Sequence, residues 1–281
     1  NRRSSDTRHV ATTLILRVLV LDMSAADKEM IMKFISKLER ILAKSLVTAP
    51  AELTGDAPAV SFSFDDFPKT AYTNAGEILE DNEARGTYFL STDLIDTHYE
   101  GQAQCDTKDL QNVIDNGHEI GGHTQSHKHL QTLNKAEMEY EIVVNHDFIR
   151  NTLDTEVSSF AFPFGGTSPQ AKKAVLPHYR IARSINPGLN SGRIDRMHIK
   201  AYSIYGENFC LRRIEQLVEE TLRQNAWLVF YTHDVQNKHS AYGCSVNQFE
   251  AVVNAVKARQ IDIRTMSAVS RDSMHIDTVL C

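Results

Sequence analysis

Residues 61–70 read SFSFDDFPKT. Ser61 to Phe64 alternate small polar and aromatic side chains, the period of a β-strand whose two faces meet different surroundings. The run then stops on two adjacent acids, Asp65 and Asp66, followed by Phe67-Pro68. Neighbouring carboxylates repel, and a strand end gains nothing from them. Their place where a buried strand meets a loop asks for a chemical reason.

Outward from this strand, strand and helix patterns alternate. Strand-like runs are expected at 60–64, 86–91, 119–122, 159–163, 181–184, 199–203, 227–232 and 261–265. Between them lie helix signals. Asn134 and Glu137 form a capping box ahead of Met138, Ile142 and Ile149. Ser168-Pro169 is an N-cap and first-turn proline. Leu211, Ile214, Leu217, Val218 and Leu222 share a helical face, and Ser245 with Gln248 caps a helix carrying Phe249, Val252, Val253 and Val256. Such alternation implies an α/β fold with a largely parallel sheet, and seven or eight units imply a (β/α) barrel.

Ahead of that domain, Leu14 to Asp22 reads as a strand, and Ser24, with Asp27, opens a helix. Ile31, Phe34, Ile35, Leu38, Ile41 and Leu42 fall on one face of that helix, which is read as packing on its own domain, with a membrane-surface or partner helix as the alternative. Thr54 to Pro58 reads as a linker, so the chain divides into an extension at 1–55 and a barrel domain at 56–281. The extension is expected to cover one barrel end or to make a homo-oligomer contact. Deleting residues 1–50 should impair folding or assembly more than chemistry.

The 281 residues carry a net charge of -6 and no basic stripe, which argues against a nucleic-acid partner. The stretch VATTLILRVLVL, residues 10–21, is short for a membrane span and is interrupted by Arg17. The reading is of a soluble protein without an integral membrane segment, its location in the cytoplasm or outside it left open. Cys105, Cys210, Cys244 and Cys281 form no CxxC pair, so they are read as buried or free thiols, with Cys210–Cys244 the one disulfide worth testing.

In (β/α) barrels the reactive groups gather at the C-terminal strand ends. Four strands here end in unusual residues: Asp65-Asp66, the HTQSH of 123–127, the FAFPFGG of 160–166 and the YTHD of 231–234. His123 and His127, four apart and placed on one helical turn, would point the same way and grip one metal. Gly121-Gly122 ahead of them permits close backbone approach, which favours this pair over nearby His118 and His129. One carboxylate completes a two-His, one-carboxylate site suited to catalytic zinc or to non-haem iron. One aspartate of the pair can then bind the metal while its neighbour stays free as a base. A divalent cation offsets their repulsion.

Taken in order, SFDDFP, HTQSH, FAFPFGG and YTHD resemble the motifs of the polysaccharide deacetylases, carbohydrate esterase family four, over roughly residues 58–266. The resemblance implies a distorted (β/α) barrel with about seven strands. It implies Asp65 as general base, a divalent metal (Zn2+ first, Co2+ or another ion otherwise) on Asp66, His123 and His127, the Phe164 N–H in the oxyanion hole, and His233 as general acid. An N-acetylated carbohydrate would be the substrate, and the reaction a metal-dependent removal of acetyl groups from amino sugars in an oligo- or polysaccharide. The rivals are hydrolysis of a small amide or ureide at the same site, and a non-catalytic metal- and carbohydrate-binding protein.

Three departures from the family pattern stand out. Phe67 replaces the usual glycine, and Pro68 should hold it extended, in the cleft wall or under the loop. Ala161 stands where many members carry the arginine that pairs with the base; Arg183, Arg193 and Lys200 are the candidates to replace it. The usual Asp–Trp motif is not evident, leaving Asp195 as candidate partner of His233 and Trp227 as a core residue.

Overall fold

The computed structural model describes residues 25–55 and 57–276. Helix α1 (Ala25–Ser45) leads into strand β1 (Pro50–Leu53) and then β2 (Ala59–Phe64). A π-type turn runs into α2 (Glu77–Asp81), β3 (Thr87–Leu90), the hairpin of β4 (His98–Tyr99) and β5 (Gln102–Ala103), and α3 (Thr107–Asp115). There follow β6 (Glu119–Gly122), α4 (Lys135–Thr152), β7 (Ser159–Ala161), α5 (Pro169–Val175), β8 (Ile181–Arg183), β9 (Gly192–Asp195) and β10 (Tyr202–Ser203). The described residues end with α6 (Leu211–Gln224), β11 (Trp227–Thr232), α7 (Val246–Lys257), β12 (Asp262–Ile263), α8 (Met266–Ser273) and β13 (Met274–Ile276).

Seven strands form a curled parallel sheet in the order β10-β11-β2-β3-β6-β7-β8. The segment feeding β10 spans the gap between its ends: Ile199 bridges Arg183 on β8, and Tyr202 pairs with Phe230 on β11. This is the distorted barrel expected. Strand β12 pairs with the first residues of β2, and β3 takes the far end of that same edge. A second, antiparallel sheet sets β1 between β9 and β13.

The alternation of β2 is legible in the packing. Phe62 and Phe64 join the outer core under the helices, where both contact Phe249. Ser61 and Ser63 point the other way, and the small Ser61 leaves room for Trp227, whose indole N–H donates to Ser61 Oγ at 2.9 Å. Trp227 is fully buried with Phe89, Ile181, Ile199 and Val229 inside the barrel, a core residue as expected.

The strands expected between 60 and 265 all have counterparts, and the capping boxes of α4 and α7 and the Ser168 cap of α5 form as read. Strand β7 is shorter than expected because Pro163 opens a 3-10 turn. Helices α2 and α3 were not anticipated, although Asp106 and Asp109 form a capping box. The expected strand at 14–22 and the Ser24 cap lie outside the described residues. On α1 the face that packs is carried by Ile35, Glu39 and Ala43, whereas Phe34 (66 % exposed) and Ile41 (57 % exposed) face out. Cys105, Cys210 and Cys244 are free, so no Cys210–Cys244 disulfide forms. Among the described residues no helix is long and apolar enough to cross a membrane.

Candidate active site

Strand β2 leaves the sheet at Asp65, whose N–H still bonds Thr232 O at 3.0 Å. Asp66 (φ 64°) and Phe67 (φ 63°) then both turn to the left-handed side. Such positions cost about 1–3 kcal/mol each for a residue with a side chain, so surrounding structure must hold them. The Phe67 ring is fully buried against Tyr88, 4.7 Å between centroids, and its carbonyl accepts from Cys105 N at 3.0 Å. The extended Phe67 expected from Pro68 is therefore wrong. A following proline disfavours the right-handed region, and tertiary packing selects the left-handed one. Phe67 packs under the loop.

This turn gives the two acids different partners. Asp65 receives a buried hydrogen bond from Arg183 Nη2. The guanidinium lies over the rings of Phe89 (5.3 Å) and Tyr231 (4.7 Å). Arg183 on β8 is the register partner of Ala161 on β7, so of the three cations considered as partners of Asp65 it is the one at the level of Ala161. Arg193 is exposed on β9, and Lys200 reaches Leu189 O, so neither takes this role.

Asp66 faces the histidines. Its Oδ1 lies 2.9 Å from His127 Nε2 and 3.3 Å from His123 Nε2. The 123–127 segment is a loop, not the helical turn expected, with Thr124 (φ 68°) and His127 (φ 52°) left-handed. The rings converge because each is separately oriented. His123 Nδ1–H donates to Ala161 O at 2.8 Å, which turns Nε2 towards Asp66, and His127 Nδ1 meets the Tyr99 hydroxyl at 3.1 Å. Gly122 is required here: a Cβ would lie 2.1 Å from the Tyr179 hydroxyl oxygen.

The residues fit a divalent cation. One oxygen and two nitrogens lie within 4.8 Å of one another, all three residues buried, and Asp66 Oδ1 is buried without a hydrogen-bond partner. Burial works to raise the Asp66 carboxyl, but His123 and His127 beside it, with the charge of His233, hold it well below the usual carboxylate range. His118 is no ligand: it accepts from Gly86 N and meets Glu80. His129 stacks on Phe164 instead, 5.5 Å away at 9°.

His233, just beyond β11, places Nε2 3.8 Å from Asp66 Oδ2. Asp195 is not its partner. That carboxylate lies on β9 and binds Lys172 Nζ at 2.6 Å and the N–H groups of Thr48, Ala49 and Met197. His233 Nδ1 is buried and unbonded, its ring held against Tyr242 at 5.4 Å. Asp234 ties down its own loop through Ser240 and Gln236. Phe164 (φ 56°) sits in the 3-10 turn Pro163–Gly165, its ring 4.5 Å from His127.

One cleft of about 240 Å³ collects Asp65, Asp66, His123, His127, Phe164 and His233, every site residue expected from the sequence. Phe164 and Tyr242, each 48 % exposed, stand at its rim. Sequence reasoning missed Tyr205 and Tyr242 in its wall and Tyr99 behind His127. Tyr231 lay in plain view within YTHD, but the other three are loop or hairpin residues with no periodicity to mark them.

The curled parallel sheet is the fold of the carbohydrate esterase family four deacetylases. The Bc1960 peptidoglycan N-acetylglucosamine deacetylase is similar with a TM-score of 0.56 and 15 % identity, covering 82 % of this chain and 96 % of that one. The Xyl-CE4 domain of a multidomain xylanase from the hindgut metagenome of Trinervitermes trinervoides gives 0.52 and 16 %, covering 77 % and 91 %. The wild-type CE4 family pseudoenzyme BA3943 from Bacillus anthracis gives 0.51 and 13 %, covering 76 % and 66 %. Residues 52–178 match the polysaccharide deacetylase family, which bears out the resemblance read from the motifs. The match takes in every expected site residue except His233. No curated protein sequence matches the chain.

Proposed function

We propose that the chain is a metal-dependent hydrolase that removes N-acetyl groups from amino sugars in an oligo- or polysaccharide. The carrying observation is the division of the acid pair: Asp65 on Arg183, Asp66 on two histidines, in one cleft with His233. Mere binding needs no such separation.

Asp66, His123 and His127 would hold the ion, zinc by preference for this donor set, with cobalt or another divalent ion as substitute. A bound ion supplies Lewis acidity and lowers the pKa of its water towards about 7. Asp65 accepts the proton of the attacking water, and Arg183 fixes its carboxylate for that task. The Phe164 N–H donates to the developing oxyanion. His233 protonates the departing amine, so acetate and the free amino sugar leave. Burial pushes the hydroxyls of Tyr205 and Tyr231 up, so both stay protonated donors in the cleft wall.

The exposed aromatic rim formed by Phe164 and Tyr242 suits a sugar ring better than a small closed-in amide. Arg183 removes the main support for a non-catalytic reading, the apparent loss of the arginine partner. In this proposal residues 56–281 carry the chemistry and 1–55 are an extension.

The test is acetate release from N-acetylglucosamine oligomers by metal-free, zinc-restored and cobalt-restored protein, with Asp65→Asn as the control. Metal-dependent release that Asp65→Asn abolishes is the expected outcome. Metal binding without release from any N-acetylated sugar would overturn the proposal.

A further inference from the structure

Helix α1 lies outside the matched family region, yet it bonds the histidine loop and, through that loop, is joined to the Phe164 turn. Gln131 closes the loop containing His123 and His127 and is buried. Its two Nε2–H groups are shared among three acceptors, Ser36 O (3.2 Å) and Glu39 Oε2 (3.2 Å) on α1 and Thr167 O (3.1 Å). Thr167 follows the turn of Phe164 and precedes the Ser168 cap of α5. One amide therefore joins the helix, the histidine loop and the Phe164 turn. Glu39, also buried, is placed by the same helix turn as Ser36.

The two loops also clasp each other directly. The His129 ring stacks on Phe164, and Phe164 packs on His127. Gly166 gives His129 its place, since a Cβ there would lie 2.6 Å from His129 Cε1. Both loops hold left-handed residues, Thr124, His127 and Phe164, whose conformations persist only where the surroundings over-determine them.

We propose that α1 is a positioning element of the site: Glu39 and Ser36, through Gln131, hold the His127 loop against the Phe164 turn. Gln131 and Glu39 are positioning residues. They touch no reacting atom, and they act by keeping His127 Nε2 and the Phe164 N–H in register. The metal part of this inference rests on the function proposed above; the bracing of the loops does not.

Two measurements on the full chain separate them. The first is amide hydrogen exchange of metal-free protein across residues 124–131 and 164–168, comparing wild type with Gln131→Ala, Glu39→Ala, Glu39→Gln and the exposed-face control Phe34→Ala. The expected result is roughly tenfold faster exchange in both loops for the two alanine variants at 131 and 39. Glu39→Gln, which keeps an acceptor, should restore protection, and Phe34→Ala should match wild type. The second is zinc affinity by competition with a chromophoric chelator, expected to fall by about tenfold in Gln131→Ala with Glu39→Gln near wild type. Faster exchange confined to α1, with both loops unchanged, would overturn the bracing. Faster loop exchange with unchanged zinc affinity would overturn its link to the site. A wild type that binds no zinc would defeat the proposed function and the metal link, while the exchange comparison would still decide the bracing.

Discussion

Arg183 and Ala161 face each other across the pairing of β8 and β7, and the Arg183 guanidinium meets Asp65 in the barrel interior. The cation that pairs with Asp65 thus stands on β8, level with Ala161 on β7. Removing it leaves a buried carboxylate unpaired, which costs about 3–5 kcal/mol. Arg183→Met should lower stability by that order and, on the proposed mechanism, reduce deacetylation about a hundredfold, because Asp65 loses its orientation. Arg183→Lys should recover part of the stability and little of the rate, since lysine cannot reproduce the planar fork. Urea unfolding and acetate release check both. Full turnover in Arg183→Met would dismiss Asp65 as an oriented base.

Tyr99 reaches His127 Nδ1 from the β4–β5 hairpin. Outer partners of metal-binding histidines typically contribute tenfold to hundredfold in affinity. Tyr99→Phe should weaken zinc binding about tenfold, and Asp66→Ala should abolish it in the same chelator competition. Dialysis against chelator should stop turnover and zinc should restore it. Undiminished zinc binding in Asp66→Ala would place the ion elsewhere.

His198 supplies a pH dependence away from the site. It is buried, accepts from Asn186 Nδ2 at 2.6 Å, and burial lowers its pKa from 6.5 to about 4, with the Lys172 charge adding to the effect. Its neutral form is favoured by folding, so the contribution is fully present above pH 6.5 and is lost as pH falls towards 4. The loss amounts to roughly 3 kcal/mol at most. His198→Gln should flatten the acid limb of the stability profile, read from urea midpoints at neutral and acid pH. An unchanged limb would assign the acid sensitivity to other groups.

Lys172 anchors the end of α1. Its ammonium is fully buried and binds Ala43 O at 2.7 Å, Leu46 O at 2.5 Å and Asp195 Oδ2 at 2.6 Å. A positive group there complements the helix C-terminus. Lys172→Met should cost about 3–5 kcal/mol and should raise amide exchange along α1. A variant as stable as wild type would show the three acceptors to be satisfied by water.

Much of this was legible in the residues. The alternation of Ser61 to Phe64, the paired acids and the proline-bounded FAFPFGG mark strand ends through local chemistry, and local chemistry survives folding. The partner of Asp65 was not legible, because Ala161 and Arg183 are brought level only by the register of β7 and β8. Asp195 lies at the end of an antiparallel strand that the parallel rhythm conceals, and so it was misplaced beside His233. The helical reading of 123–127 failed for a different reason. Spacing of four suits a helix, but three separate outer contacts converge the rings without one. The Phe67 error came from weighing Pro68 alone, when burial against Tyr88 decides the backbone.

The small sheet of β1, β9 and β13 bears on the order in which the chain can assemble. Ala51 pairs on one side with Ile194 and on the other with Ile276. A strand near the beginning thus waits for a partner in the second half of the chain and for another near its end. Contacts so distant in sequence form late. During synthesis from the N-terminus, one edge of β1 must remain unpaired until β9 has emerged and the other until β13 has. Unpaired edges invite association between chains, so refolding yield should fall steeply with protein concentration.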